Sequence, residues 1–172
     1  MNPNDALMNS CTKRFLTLAL VSAGLALLAV TASQGQADKS PASPAQAAVL
    51  ARLAEIQKAA QALDADKVFS FVLENNSGAA VQNGRLFLTR EQALESTKRG
   101  LEALQKVEYQ FDQQHVTLLA PTVALAVGEG SSTATTADGR TISTHFAQSV
   151  VLVLTNGEWK VFHSHRSFPP AR

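Results

Sequence analysis

Residues 155–167 read Thr155-Asn156-Gly157-Glu158-Trp159-Lys160-Val161-Phe162-His163-Ser164-His165-Arg166-Ser167, and this stretch decides the fold. Asn-Gly supplies the two left-handed positions of a tight hairpin turn, so the chain on either side pairs as antiparallel neighbours. Beyond the turn, apolar and polar residues alternate with a period of two, as on a strand with one buried face. Strict alternation places Trp159, Val161, His163 and His165 on one face, and Lys160, Phe162, Ser164 and Arg166 on the other.

Toward the N-terminus the period of two continues. Thr141 to Leu154 forms the other arm of the hairpin, the joint Ala137-Asp138-Gly139-Arg140 marks a second tight turn, and Ala120-Pro121 interrupts Val116 to Val127. Val107, Tyr109 and Phe111 alternate with polar residues before that. The spacing predicts a meander of about four long antiparallel strands from about Val107 onward. Gly128-Glu129-Gly130 reads as a turn or strand irregularity.

Upstream the period turns helical. Val49, Leu50, Leu53, Ile56, Ala60 and Leu63 recur every three or four residues from Ala47 onward, with Arg52, Glu55 and Lys58 between them. Asp64-Ala65-Asp66 breaks that helix. Val68, Phe69, Phe71, Val72 and Leu73 suggest a second, short one ending at Asn75-Asn76-Ser77-Gly78. Asn83-Gly84 inside the apolar run Ala79 to Leu88 predicts a two-stranded ribbon. Thr89 and Gln92 form a capping box, so a third helix starts near Arg90 and carries Ala93, Leu94, Leu101 and Leu104 inward. Gly100 weakens its middle by about 1 kcal/mol relative to Ala. Helices followed by strands define an α+β domain with about three helices on one face of a curved antiparallel sheet.

The start of the chain has a different character. Lys13 and Arg14 precede an apolar run, Phe15 to Val30, and small residues follow it. A basic patch, an apolar stretch and a small-x-small site describe an export signal over residues 1–37, cleaved after Ala32 or Ala37. The other reading is an uncleaved membrane anchor, since the run approaches the ~18 residues a spanning helix needs. Cys11 precedes the run, so a mature chain has no thiol and relies on its core rather than on disulfides. Residues 38–46, within a Ser-, Gln-, Ala- and Pro-rich tract, read as a flexible linker, residues 47–168 as one domain and residues 169–172 as a tail.

Charge narrows the partners. The 172 residues carry 15 Lys and Arg against 14 Asp and Glu, and without residues 1–37 thirteen of each sign remain. A neutral domain has no electrostatic means of gripping nucleic acid or, once the signal is removed, an anionic membrane. No phosphate-binding Gly loop, Cys/His zinc pattern or Gly-x-Ser-x-Gly elbow occurs, and no cofactor is expected.

Polar residues of chemical interest gather on the final hairpin. His145 and Gln148 lie on one strand, and Trp159, His163 and His165 on the next. Two imidazoles two residues apart on a strand sit about 7 Å apart. They fit three readings: half-buried groups satisfied by neighbours, walls of a small-molecule pocket, or part of a three-histidine metal site completed by His145. The site assignment adopted is the pocket, with no metal. His115 falls on another strand as a surface or rim residue. Glu108, Asp112 and Glu129 have polar surroundings and read as solvated rather than as a desolvated general base.

Three helices, a ribbon and a meander closing on Gly157, Trp159, Lys160, Val161, His163, His165 and Ser167 resemble the nuclear transport factor 2-like superfamily, and its SnoaL-like branch most. The resemblance covers about residues 46 to 168. It implies a cone-shaped sheet wrapped around the helices, with a cavity open at one end. Members isomerise steroids, cyclise polyketides, bind ligands or dimerise through the sheet. It places His145, Gln148, Trp159, His163 and His165 on the cavity wall; Tyr109 is read beside them as a hydrogen-bond donor, a role the motif itself does not assign. Steroid isomerase-like members carry a catalytic Asp about where Ala80 and Gln82 stand here, so proton abstraction by that group is not implied. The expectation is an exported protein, a homodimer, binding a small, partly apolar molecule. An isomerase, cyclase or hydrolase using a pocket histidine, and an interaction module pairing through its sheet, are the alternatives.

Overall fold

The computed structural model describes residues 42–169. The basic patch, the apolar run, both cleavage positions, Cys11, the first residues of the linker and tail residues 170–172 lie outside the described residues.

The first helix, α1, spans Pro44–Gln61 and starts three residues before the expected Ala47. The proline that reads as linker occupies the first helical turn, where its missing N–H costs nothing. Ser43 and Gln46 close a capping box, with Ser43 Oγ accepting from Gln46 N at 3.3 Å and Gln46 Oε1 accepting from Ser43 N at 2.8 Å. Leu63, at φ 58°, turns the chain out of the helix. The helix α2 (Ala65–Ser70) is capped by Asp64, which accepts from Lys67 N at 2.8 Å. The third helix, α3 (Arg90–Leu101), has the expected Thr89–Gln92 box. It ends one residue after Gly100, so Leu104 is not on its inward stripe but opens the first long strand.

Six strands form one sheet: β1 (Ala80–Gln82), β2 (Arg85–Phe87), β3 (Leu104–Ala120), β4 (Val123–Thr136), β5 (Thr141–Thr155) and β6 (Glu158–Ser167). Their order is β2-β1-β6-β5-β4-β3. The sheet is mixed rather than wholly antiparallel, because β1 lies parallel to β6 with Ala80 opposite Ser164. Such a long-range pairing leaves no local trace in the sequence. Both Asn-Gly turns have positive φ at each central residue, 52° and 72° at Asn83-Gly84 and 51° and 78° at Asn156-Gly157, as a two-residue hairpin requires. The Asp138-Gly139 turn is wider. Only Gly139 is left-handed, at φ 82°, and its N–H donates to Thr136 O at 2.9 Å.

The core forms where α1 lies on the sheet. Val49 and Leu53 from α1 pack with Ala124 and Ala126 of β4, Val150 and Leu152 of β5, and Trp159 and Val161 of β6. A smaller cluster, Ala65, Phe69, Ala93 and Leu94, joins α2 to α3. Gly128 and Gly130 lie where β3 bulges between Phe111 and Gln113, and a Cβ on Gly128 would stand 2.8 Å from Gln113 O. The irregularity read at Gly128-Glu129-Gly130 is therefore close backbone approach inside a bent strand pair.

A second bulge determines the site. On β5, Val151 faces His163 and Leu152 faces Val161, so Phe162 has no partner. Up to Val161 the outer side of β6 pairs with the segment after α2, through Val161 N to Phe71 O and Leu73 N to Val161 O, both at 2.9 Å. From Ser164 onward its neighbour is β1. The extra residue sits where one neighbour gives way to the other, and Asn75 Nδ2 donates to Phe162 O at 2.9 Å. One inserted residue reverses the faces of everything after it. His163 and His165 therefore do not share a face with Trp159 and Val161; Ser164 and Arg166 do.

Candidate functional site

Between α1 and the concave face of the sheet lies a cavity of about 180 Å³. Leu53, Ile56 and Ala60 of α1 form one wall, Val68 and Val72 a second, and Phe111, Val150 and Val161 the floor. Polar groups come from Gln57, Gln82, Tyr109, Gln114, Gln148, Ser164 and Arg166, and His165 also borders it. No Asp or Glu lines it.

Arg166 dominates the electrostatics. Its guanidinium carbon lies 5.2 Å from the ring centre of Tyr109 and 4.9 Å from that of Phe146, within range of a cation–π attraction. Phe146 is itself held edge-on by Tyr109 and Phe111, at 6.1 and 5.3 Å. Arg166 Nη2 donates to Gln148 Oε1 at 2.8 Å, across a cross-strand pair. Among the described residues Arg166 makes no ion pair. The Tyr109 position is fixed through its backbone, which accepts from Gln57 Nε2 at 3.0 Å and donates to Gln61 Oε1 at 3.1 Å.

The expected site residues separate into three groups. Tyr109 and Gln148 lie on the cavity wall. Trp159 does not; at 6% exposed it is a core residue packed with Val49 and Leu53. His145 is exposed on β5, alternating with the buried Phe146, and so faces the outer side of the sheet. His163 is also turned away, and its Nδ1–H donates to Gly78 O at 2.8 Å. That bond is the bland reading of this residue, a polar group satisfied by a neighbour. The strand at His165 borders the cavity, but its side chain, alternating with that of Arg166, points to the outer face. There it borders an open groove with His115, Glu129 and Ser149.

The three-histidine arrangement is not assembled, and among the described residues no group of three His, Cys, Asp or Glu could hold a metal ion. Glu108, Asp112 and Glu129 are exposed, as expected. Sequence reasoning missed Arg166 and Ser164, because strict alternation set them on the opposite face. The single hint was Phe162, an aromatic residue out of place between Lys160 and Ser164.

A half-open sheet closed by a helix, with an apolar cavity at the junction, defines the class of the domain. The SnoaL-like domain family model matches residues 49–171, and the chain belongs to that family. No curated protein matches it. Solved structures share the fold at low identity. A nuclear transport factor 2-like superfamily protein from Salmonella enterica is 16% identical, with 72% of this chain and 89% of that chain covered at a TM-score of 0.65. A ketosteroid isomerase-like protein from Erwinia carotovora atroseptica is 16% identical, with 73% and 96% covered at 0.61. An uncharacterized protein with a cystatin-like fold from Caulobacter vibrioides is 20% identical, with 72% and 89% covered, also at 0.61.

Proposed function

We propose that this is an exported, single-domain protein whose cavity between α1 and the sheet binds a small, partly apolar molecule. The observation that carries the reading is the cavity wall itself: aliphatic side chains on most sides, with Tyr109, Gln148 and Arg166 converging at one end. Ligand sites are built in this way, mainly apolar with a few placed polar groups. The isomerase-like name of one structural neighbour agrees with a pocketed domain. An enzyme using a pocket histidine has less support, since His145 and His163 lie outside the cavity and no carboxylate lines it. We further propose a homodimer formed through the outer face of the sheet, where Val127 is 39% exposed beside Ala147 and Ser149.

The test is ligand-dependent thermal stabilisation of the purified protein, compared with a variant whose cavity is filled by Ala60→Leu. Small amphipathic compounds should raise the melting temperature of the native chain and lose that effect in the variant. Equal shifts in both proteins, or none in either, would refute the cavity as a ligand site. Mass spectrometry of the mature N-terminus tests cleavage after Ala32 or Ala37, and an intact Met1 contradicts it. Light scattering on the eluted protein tests the dimer.

A further inference from the structure

We infer that the cavity selects a small monocarboxylate, with Arg166 receiving the carboxylate and the aliphatic walls receiving the rest of the molecule. The inference rests on the cavity being a ligand site, and adds the charge and class of what it takes.

Arg166 is a cation on a wall that holds no Asp or Glu. Arg166 is half-buried, and a partly desolvated guanidinium is compensated by a carboxylate or by several hydrogen bonds. Here the compensation is neutral: one acceptor, Gln148 Oε1, and the faces of Tyr109 and Phe146. These partners fix the guanidinium plane without cancelling its charge. A guanidinium has five N–H donors, and Gln148 uses one. The others can grip both oxygens of a carboxylate in the bidentate geometry for which the group is suited.

The single charge also argues against a phosphate. A dianion beside one arginine would leave a negative charge uncompensated on an apolar wall, where burial of charge is costly. A monoanion closes the balance. Leu53, Ile56 and Val150 then receive an aliphatic or aromatic remainder, whose size is limited by a cavity of about 180 Å³.

The experiment is isothermal titration calorimetry of the purified full chain, at neutral pH, with four probes and inorganic phosphate. Hexanoate and phenylacetate supply the carboxylate, while hexanamide and phenylacetamide are their neutral counterparts. The carboxylates should bind at least about tenfold more tightly than the amides, the difference expected of charge-assisted hydrogen bonds. Arg166→Gln should erase that preference while leaving amide binding in place, and Arg166→Lys should restore part of it. Amides binding as well as carboxylates would overturn the charge selection and leave the cavity standing. Phosphate binding more tightly than the carboxylates would overturn the monoanion. A preference surviving in Arg166→Gln would remove Arg166 from the site, and binding of no probe would count against cavity and inference together. If Arg166→Gln fails to fold, the carboxylate–amide comparison on the unaltered chain still decides the matter.

Discussion

Arg166 on β6 and Gln148 on β5 stand directly opposite each other, and the Arg166 Nη2 donates to Gln148 Oε1 at 2.8 Å. The pair forms because β6 takes up Phe162 as a bulge rather than alternating through it, and it gives the cavity a positive end. Gln148→Glu is therefore expected to separate stability from binding. A carboxylate there forms an ion pair with Arg166 and keeps the fold at least as stable by urea denaturation. The same carboxylate occupies the guanidinium, so hexanoate binding by calorimetry should fall about tenfold or more. Unchanged hexanoate affinity would show that the guanidinium is not where the anion lies.

Phe162 is the residue on which the face reversal turns, although its side chain is 41% exposed. Phe162→Ser should change stability by no more than about 0.5 kcal/mol, as at an ordinary surface position. Deleting Phe162 is a different matter. It removes the bulge but keeps the faces, because alternation from the inward Val161 then sets His163 and His165 outward and Ser164 and Arg166 inward. The deletion variant should therefore fold, by circular dichroism and gel filtration, and still bind hexanoate; a folded variant that no longer binds it would refute the inward aim of Arg166 beyond the bulge.

Gly130 on β4 passes so close to β3 that a Cβ would overlap Gln110 O and stand 2.9 Å from Phe111 Cα. Both neighbours are backbone and cannot rotate away. Gly130→Ala should therefore cost about 1–3 kcal/mol by urea denaturation, as overpacking does. Gly100→Ala, at a position with nothing within 4 Å, should instead stabilise α3 by up to about 1 kcal/mol. Equal effects at the two glycines would contradict the close approach of β3 and β4.

Three exposed groups contribute to the pH response. The Thr136 hydroxyl, with Arg140, holds the Asp138 carboxyl below the usual aspartate value. The Lys160 ammonium does the same for Glu158. A carboxyl depressed in the folded chain contributes stability above its unfolded pKa of about 4, and loses it as pH falls through the folded value. Lys98 is raised by its hydrogen bond to Asp66. Its contribution is complete below the unfolded lysine pKa of about 10.4 and lost as pH rises through the raised value. The melting temperature should stay level between about pH 5 and 10 with respect to these groups. It should fall on both sides, and Asp138→Asn with Glu158→Gln should flatten the acid limb in calorimetric scans. An acid limb of unchanged slope would assign it to other carboxylates.

The order of elements was legible in the sequence because its signals are local. Asn83-Gly84 and Asn156-Gly157 must be left-handed at both positions, and Thr89 with Gln92 caps α3 wherever the helix packs. Alternation along β5 likewise separates the buried Phe146, Val150 and Leu152 from their exposed or half-buried neighbours. Ser43 and Gln46 form the same kind of box, but the Pro44 between them gives the stretch the look of a linker.

The neutral domain, the α+β order and the SnoaL-like ending were thus determined by the sequence itself, since turn chemistry, capping and periodicity act between residues a few positions apart. Which side chains enter the cavity was decided by tertiary structure. The partner of β6 changes from the segment after α2 to β1, the change inserts Phe162 into the strand, and the insertion exchanges one face for the other. That event depends on elements about 85 residues away in the chain, and a period of two cannot record it. For that reason the histidine side chains of the last strand point outward, and Arg166 holds the polar end of the cavity.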